Sequence, residues 1–226
     1  YRLPNIFGKW CKPNYNSVVA TFCYNIIRDI PININNPKNL INLVYIDDVI
    51  SDFIMLMDNF KKISKINKYQ TVNPLYKITV GNLAKQIYAF KEIRNSNILE
   101  RVGKGFVRAL YSTYISYLPQ DQFSYPVRAH SDQRGSFIEM IKTPDCGQFS
   151  CFTILPNVTR GDHYHHSKTE KFLVINGNAR FKFYNLDTHE KYEIEVNGDK
   201  PEIVESVPGW AHNITNIGVG DMIVIL

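Results

Sequence analysis

The sequence of 226 residues lacks several features that would assign it to a particular class of protein. Its four cysteines, at positions 11, 23, 146 and 151, form no Cys-x-x-Cys pair, and its first residues lack the charged, apolar and small-residue regions of a secretory signal. We therefore expect reduced thiols in a cytoplasmic protein. No run approaches the roughly 20 apolar residues of a membrane helix, so we expect no membrane partner.

The net charge of +5 conceals an uneven distribution. Residues 1–126 contain 16 of the 26 Lys and Arg but only 8 of the 21 Asp and Glu. The densest basic run, K-K-I-S-K-I-N-K at 61–68, is interpreted as a solvated loop because no nucleic-acid motif accompanies it. We therefore expect no nucleic-acid partner.

The hydrophobic pattern of the first half is helical, with short strands. Helices are predicted at 17–30, after a strand at 42–46, after the capping residue Thr79, and at 105–118. The acidic residues Asp47 and Asp48 suit the positive end of the second helix. This part of the chain is predicted to be an α+β domain at 1–118.

The second half has the pattern of an all-β domain. After a predicted linker at 119–126, short alternating strands begin at 127 and continue to 226. Asn176-Gly177 and Asn197-Gly198-Asp199 are typical of hairpin turns. The predicted fold class is therefore α+β followed by all-β.

Side chains that bind metals are concentrated in this second domain. In H-Y-H-H-S-K-T-E, His163 and His165 would share one face of a strand, and Glu170 opens an apolar run predicted to be the neighbouring antiparallel strand. His212 follows the Pro-Gly turn of V-P-G-W-A-H. Three imidazoles and a carboxylate suit a borderline divalent ion such as Zn2+. His189 lies in a polar turn and is expected in solvent.

These residues resemble the cupin superfamily. His163, His165, Glu170 and Gly177 match its first motif without a gap, and Gly209, His212 and Asn216 match the end of its second motif. Asn157 stands where the family has a glycine, and Pro208 directly precedes Gly209, so two loops depart from the pattern. The resemblance implies a jelly-roll β-barrel.

The first half is similar to extended short-chain dehydrogenases that act on nucleotide sugars, through R-L-P-N-I-F-G-K-W and Y-I-D-D-V. That family carries its glycine-rich dinucleotide fingerprint and its catalytic Tyr-x-x-x-Lys helix upstream of these segments. We therefore expect the chain to be a fragment that lacks an N-terminal Rossmann half. The resemblance implies that Asn5 binds substrate and that NADPH binds only to the full-length protein.

The order of the two parts resembles the bifunctional UDP-sugar reductase/epimerases of capsular polysaccharide biosynthesis, in the pathway to UDP-N-acetyl-L-fucosamine. The resemblance implies that the cupin epimerises C3 of a UDP-4-keto-6-deoxy-hexosamine with zinc. The dehydrogenase domain would then reduce C4 with NADPH. We expect a homodimer.

Two motifs also resemble the metal-free deoxythymidine-diphospho-sugar epimerases: D-Q-R-G-S-F-I-E, with Arg134, and R-G-D-H, with Arg160. In those enzymes the arginines hold the sugar nucleotide and the histidine of R-G-x-H is the base. We assign His163 to the metal instead, because His165, Glu170 and His212 complete a site that those enzymes lack.

The epimerase base is left open among three residues. Lys168 lies on the same loop as the ligands, and a solvated lysine is the alternative for it; His166 and Tyr184 are the other candidates. Two other functions also stay open. The cupin could be an iron-dependent dioxygenase, or a non-catalytic sugar-binding or oligomerising module.

Overall fold

The computed structural model describes residues 1–59 and 69–226, so the basic run predicted to be a loop at 61–68 lies outside the described residues. The chain divides into two compact units, Tyr1–Tyr125 and Pro126–Leu226. The first unit mixes helices and strands, and the second is built of strands. In the described part of the chain no helix has the length and apolar character needed to span a membrane.

The described part of the first unit contains a three-stranded sheet, four α-helices and a short 3-10 helix at Gln120–Gln122. The strands, in the sheet order β1-β2-β3, are β1 Asn5–Phe7, β2 Leu40–Tyr45 and β3 Tyr76–Thr79. The helices are α1 Val18–Ile27, α2 Ile46–Asn59, α3 Val80–Ser96 and α4 Gly105–Ile115. Phe7 and Leu43 of the sheet pack in one core with Ile26, Phe90 and Leu110 of α1, α3 and α4.

Two helices begin at the capping residues found in the sequence. Ser17 Oγ accepts a hydrogen bond from the Ala20 N–H at 3.3 Å, and Thr79 Oγ1 accepts one from the Asn82 N–H at 3.2 Å. Each bond satisfies an N–H group that has no partner inside the first turn. The helix predicted at 17–30 is shorter, because α1 already ends at Ile27.

The second unit consists of two antiparallel sheets. Its strands are β4 Ala129–Asp132, β5 Gly135–Thr143, β6 Gly147–Ile154, β7 Thr159–His163, β8 Glu170–Asn176, β9 Asn178–Asn185, β10 Lys191–Asn197, β11 Ile203–Ser206, β12 Trp210–Asn216 and β13 Met222–Ile225. One sheet has the order β10-β9-β12-β7 and the other β11-β8-β13-β6-β5-β4. Alternate residues of both sheets, including Phe152, Val174, Phe181, Ile214 and Val224, form the core between them. This is a fold of the cupin β-barrel type.

The predicted hairpin at Asn176-Gly177 is wrong. At Asn197-Gly198-Asp199 the tight turn forms, with an isolated antiparallel bridge between Asn197 and Lys200, but the strands on its two sides do not pair. β8 and β9 lie in different sheets, as do β10 and β11, so each Asn-Gly pair is a corner at which the chain changes sheet. Gly177 has φ +90°, and a Cβ there would lie 3.0 Å from the Met222 Cα. An Asn-Gly pair specifies a sharp turn but not which strands pair on either side of it.

Candidate metal centre

Four side chains converge between the two sheets of the second unit. His163 ends β7, His165 lies in the following loop, Glu170 begins β8, and His212 lies on β12. Their metal-binding atoms all lie within 4.8 Å of one another. The His163 ring centroid is 5.0 Å from that of His165 and 4.9 Å from that of His212. The structure therefore brings the four predicted ligands together, while their binding of a metal stays a prediction.

The topology behind this convergence differs from the predicted one. β7 ends at His163, so His165 is positioned by a loop and not by strand alternation; its carbonyl accepts a hydrogen bond from the Gly209 N–H at 3.0 Å. β8 is not the neighbour of β7, because β7 pairs with β12 and β8 pairs with β11 and β13. Glu170 therefore reaches the histidines from the opposite sheet.

The Glu170 carboxylate is the centre of the cluster. Its Oε2 lies 3.2 Å from Nε2 of both His165 and His212, and its Oε1 accepts a hydrogen bond from Lys168 Nζ at 2.6 Å. The His212 imidazole, followed by Lys168, lowers the pKa of Glu170 to about 2, although burial opposes the shift. The carboxylate is therefore ionised at neutral pH, as metal binding requires.

Several buried atoms of the cluster have no hydrogen-bond partner of acceptable geometry within the described part of the chain, although Glu170 Oε2 lies 3.2 Å from Nε2 of both His165 and His212. They are His165 Nε2, Glu170 Oε2 and both ring nitrogens of His212. Such atoms are rare in folded proteins, and each costs about 1–3 kcal/mol. A divalent cation bound by these nitrogens and this oxygen would remove most of that cost, and three imidazoles with a carboxylate are a donor set that suits zinc. The residues present therefore fit the predicted metal.

A cavity of about 120 Å³ opens inside the second unit beside the cluster. His163, Glu170 and His212 line one part of it, and apolar side chains that include Phe137 and Phe152 line another. The cluster is thus accessible to a small group that enters between the sheets.

Asp132 holds both predicted substrate-binding arginines. Arg134 donates through Nε at 3.0 Å and Nη2 at 2.6 Å to Asp132 Oδ2, and Arg160 donates through Nη2 at 3.4 Å to Oδ1. Hydrogen bonds from Arg134 lower the pKa of Asp132 to about 2. The Arg160 side chain is only 16% exposed and lines the cavity, whereas that of Arg134 is 56% exposed. Sequence reasoning did not select Asp132, although it belongs to the same motif as Arg134.

Of the three candidate bases, Lys168 is the one in contact with the cluster. Its side chain is 62% exposed, and its ammonium group is paired with the Glu170 carboxylate. His166 is exposed, and its ring packs against Tyr164 at 5.1 Å. The spacing Tyr-x-x-x-Lys also occurs at Tyr164 and Lys168, but in the loop between β7 and β8 and not on a helix.

Tyr184 lies on β9, opposite Ala211 of β12, the residue before His212. It alternates with the inward-facing Phe183, and its hydroxyl is hydrogen-bonded to His189 Nδ1 at 2.6 Å. Both residues line a cleft of about 890 Å³ that His212 also lines. The role of Tyr184 as the base stays a prediction.

Asn5, the predicted substrate contact of the first unit, begins β1 and is exposed. It lines a cleft of about 510 Å³ together with Gly8 and Ser17, the N-cap of α1. The cleft therefore includes the N-terminal end of a helix, where backbone N–H groups favour negatively charged ligands. Binding of a substrate by Asn5 stays a prediction.

Comparison with known proteins finds matches to this chain. Residues 130–226 match the family described as the polysaccharide biosynthesis C-terminal domain. Over all 226 residues the chain is 62% identical to UDP-2-acetamido-2,6-beta-L-arabino-hexul-4-ose reductase of Pseudomonas aeruginosa, and it spans 60% of that protein's length.

A solved structure also matches the entire chain. It is the capsular polysaccharide assembling protein CapF of Staphylococcus aureus, with 44% identity and a TM-score of 0.91 over 100% of this chain and 65% of that one. The resemblance to proteins of capsular polysaccharide synthesis that modify UDP-linked sugars is therefore confirmed. The chain spans less than two thirds of either relative.

Proposed function

We propose that the second unit is a zinc-dependent epimerase acting at C3 of a UDP-4-keto-6-deoxy-hexosamine. The observation that carries the proposal is the cluster of three imidazoles and an ionised carboxylate, in which His165 Nε2, Glu170 Oε2 and both ring nitrogens of His212 are buried without a hydrogen-bond partner. The relative that is 62% identical is named for a UDP-linked hexul-4-ose, which has a ketone at C4. A ketone at C4 makes the hydrogen on C3 acidic, and this suits the proposed reaction.

Epimerisation at C3 requires three groups. A base removes the C3 proton, the electron pair of that bond moves toward the C4 oxygen, and an acid returns a proton to the opposite face of C3. A zinc ion held by His163, His165, Glu170 and His212 supplies positive charge for the C4 oxygen, an effect of several kcal/mol.

The side chains around the cluster have separate proposed roles. Lys168 is the base, because its ammonium nitrogen is 2.6 Å from Glu170 and it is the candidate next to the ligands. Before it acts it must release Glu170 and lose its proton. Arg160 and Arg134 bind the diphosphate, a group that guanidinium pairs recognise through two parallel hydrogen bonds.

The complete protein is proposed to be bifunctional. Its dehydrogenase domain reduces C4 with NADPH after epimerisation, and the first unit of this chain, with Asn5, supplies part of the substrate site of that domain. We further propose that the protein is a cytoplasmic homodimer. Saturable binding of NADPH to the 226-residue chain in calorimetry would contradict the proposal that the dinucleotide half is absent.

Hydrogen exchange at C3 tests the epimerase directly. The chain is loaded with zinc and incubated in D2O with the UDP-4-keto sugar, without NADPH, and the C3 proton signal is followed by NMR. We expect the signal to disappear, and we expect chelation or Glu170→Ala to stop the exchange. Lys168→Met should slow it about 100-fold or more, the usual contribution of a general base, with zinc content unchanged.

Lys171→Met is the matched control. Lys171 is also exposed and follows Glu170 on β8, but its ammonium group is paired with Glu205 and not with a ligand, so its loss should leave exchange unchanged. Exchange at the full rate after removal of the metal would refute the zinc mechanism and favour the metal-free one, with His163 as the base. Bound iron with oxygen consumption would indicate a dioxygenase, and zinc binding without exchange would indicate a non-catalytic module.

A further inference from the structure

The pairing of β7 with β12 is interrupted beside the metal-binding cluster. Arg160 lies opposite Ile214, Gly161 opposite Asn213, and His163 opposite His212. Asp162 has no partner in this register, so it is the additional residue of a β-bulge. Bulges change the direction of the side chains that follow them and are common next to functional sites.

The bulge determines which way His163 points. Side chains of a regular strand alternate between faces, so residues three positions apart face opposite sides. Arg160 and His163 are three positions apart, yet both line the cavity between the sheets. The additional residue therefore turns His163 inward, opposite His212, where it completes the cluster.

Two features of the backbone allow the bulge. Gly161 has φ +110°, and a Cβ there would lie 2.8 Å from both the Asn213 Cα and the His212 carbonyl oxygen. Asp162 has φ +60°, a left-handed conformation that Asp and Asn adopt more readily than most residues. A glycine followed by an aspartate thus suits these two positions.

A hydrogen bond connects the bulge to the next strand. Asn213 Nδ2 donates to Asp162 Oδ1 at 2.6 Å. Both residues line the cleft of about 890 Å³ that Tyr184 and His212 also line. Asn213 directly follows His212, so this one bond connects the residues adjacent to two of the four ligands.

We propose that Asp162 and Asn213 are positioning residues of the metal centre, which hold the bulge closed and thereby keep His163 opposite His212. The proposal rests on the proposed function in one respect, since it takes the cluster to bind zinc. It predicts that breaking the hydrogen bond between Asp162 and Asn213 weakens metal binding, although neither residue is one of the four ligands.

The test compares zinc affinities of the full chain by competition with a chromophoric chelator. Asp162→Gly removes the carboxylate but still permits positive φ, and it should weaken zinc binding about 10- to 100-fold, the usual effect of losing a group that orients a ligand. Asn213→Ala removes the donor and should act similarly. Asp162→Asn keeps both the acceptor oxygen and the tolerance of positive φ, so it should bind zinc like the wild type.

Thr215→Val is the matched control. The hydroxyls of Thr159 and Thr215 form the same kind of cross-strand bond, at 2.8 Å, between β7 and β12, but away from the bulge. Its loss should leave zinc affinity unchanged. Equal effects of Asp162→Gly and Thr215→Val, or no effect of either, would overturn the proposal.

A second measurement separates this proposal from the proposed function. If the wild type binds no zinc, the proposed function fails, but the bulge can still be tested in the metal-free protein. The rings of His163 and His212, with centroids 4.9 Å apart, should give an NMR cross-relaxation signal. Its loss in Asp162→Gly, but not in Thr215→Val, supports the positioning role, and its retention in both refutes that role.

Discussion

Zinc should stabilise the second unit, and the loss of one ligand should cancel most of this stabilisation. A metal that binds only the folded state adds about 2.7 kcal/mol to the free energy of unfolding when its concentration is 100 times its Kd. His163 and His212 are a useful pair for this test. His163 is exposed, whereas His212 is only 5% exposed.

Without zinc, the two substitutions should differ in their effect on the free energy of unfolding. With zinc, both should lose most of the stabilisation that the metal gives the wild type. In a chelator, His163→Ala should change the free energy of unfolding by no more than about 0.5 kcal/mol, as is usual at the surface. His212→Ala removes a ring packed against Phe172 and Phe183, so it should cost about 2 kcal/mol or more through the cavity left behind. If either change weakens zinc binding about 100-fold, the gain at the same zinc concentration falls to about 0.4 kcal/mol.

Calorimetric unfolding with zinc and with EDTA measures both effects. For a unit of this size, a gain of 2.7 kcal/mol corresponds to a rise in Tm of roughly 10–20 °C, and this should be seen in the wild type but not in either variant. The transition that shifts with zinc is assigned to the second unit. A His163→Ala protein that gains as much from zinc as the wild type would refute the assignment of His163 as a ligand.

Three further predictions concern residues around the centre. Asn216→Ala should lower the free energy of unfolding, measured by denaturant titration, by about 2 kcal/mol or more. The reason is that Asn216 Nδ2 donates to the Ile154 and Gly220 carbonyls and Oδ1 accepts from the Gly218 N–H. A smaller loss than in Thr215→Val would contradict this. Gly177→Ala should cost about 1–2 kcal/mol in the same assay, since φ is +90° and Met222 is adjacent, and an unchanged midpoint would show that the corner adjusts. The Asp132 carboxyl should titrate near pH 2 by NMR, and its pKa should return toward the ordinary value of 3.8 in Arg134→Ala, because Arg134 favours the ionised form. As the pH falls below 3.8, Asp132 becomes protonated and the protein should lose the stability that the bond to Arg134 contributes. An unshifted titration in the wild type would show that this bond does not form in solution.

The features that could be predicted from the sequence are those set by interactions between residues close together in the chain. The caps Ser17 and Thr79 act within three residues of themselves, so the starts of α1 and α3 follow from nearby sequence alone. The same holds for the fold class and for the set of four metal-binding side chains, because residue types and alternation are visible in the chain. The strand partners were not predictable, since an Asn-Gly turn has the same sequence whether the chain returns along one sheet or crosses to the other.

The sequence by itself determined which donor groups are available, namely three imidazoles and one carboxylate, and it placed Gly161 directly before Asp162, the additional residue of the bulge in β7. Only the tertiary structure decided that they meet. Glu170 and His212 are brought together by strands of different sheets, and His163 faces inward because one additional residue reverses the alternation of β7. Alternation and spacing are properties of a single strand, whereas a bulge and a contact between sheets depend on the partner strand, whose identity is settled by packing over the entire unit.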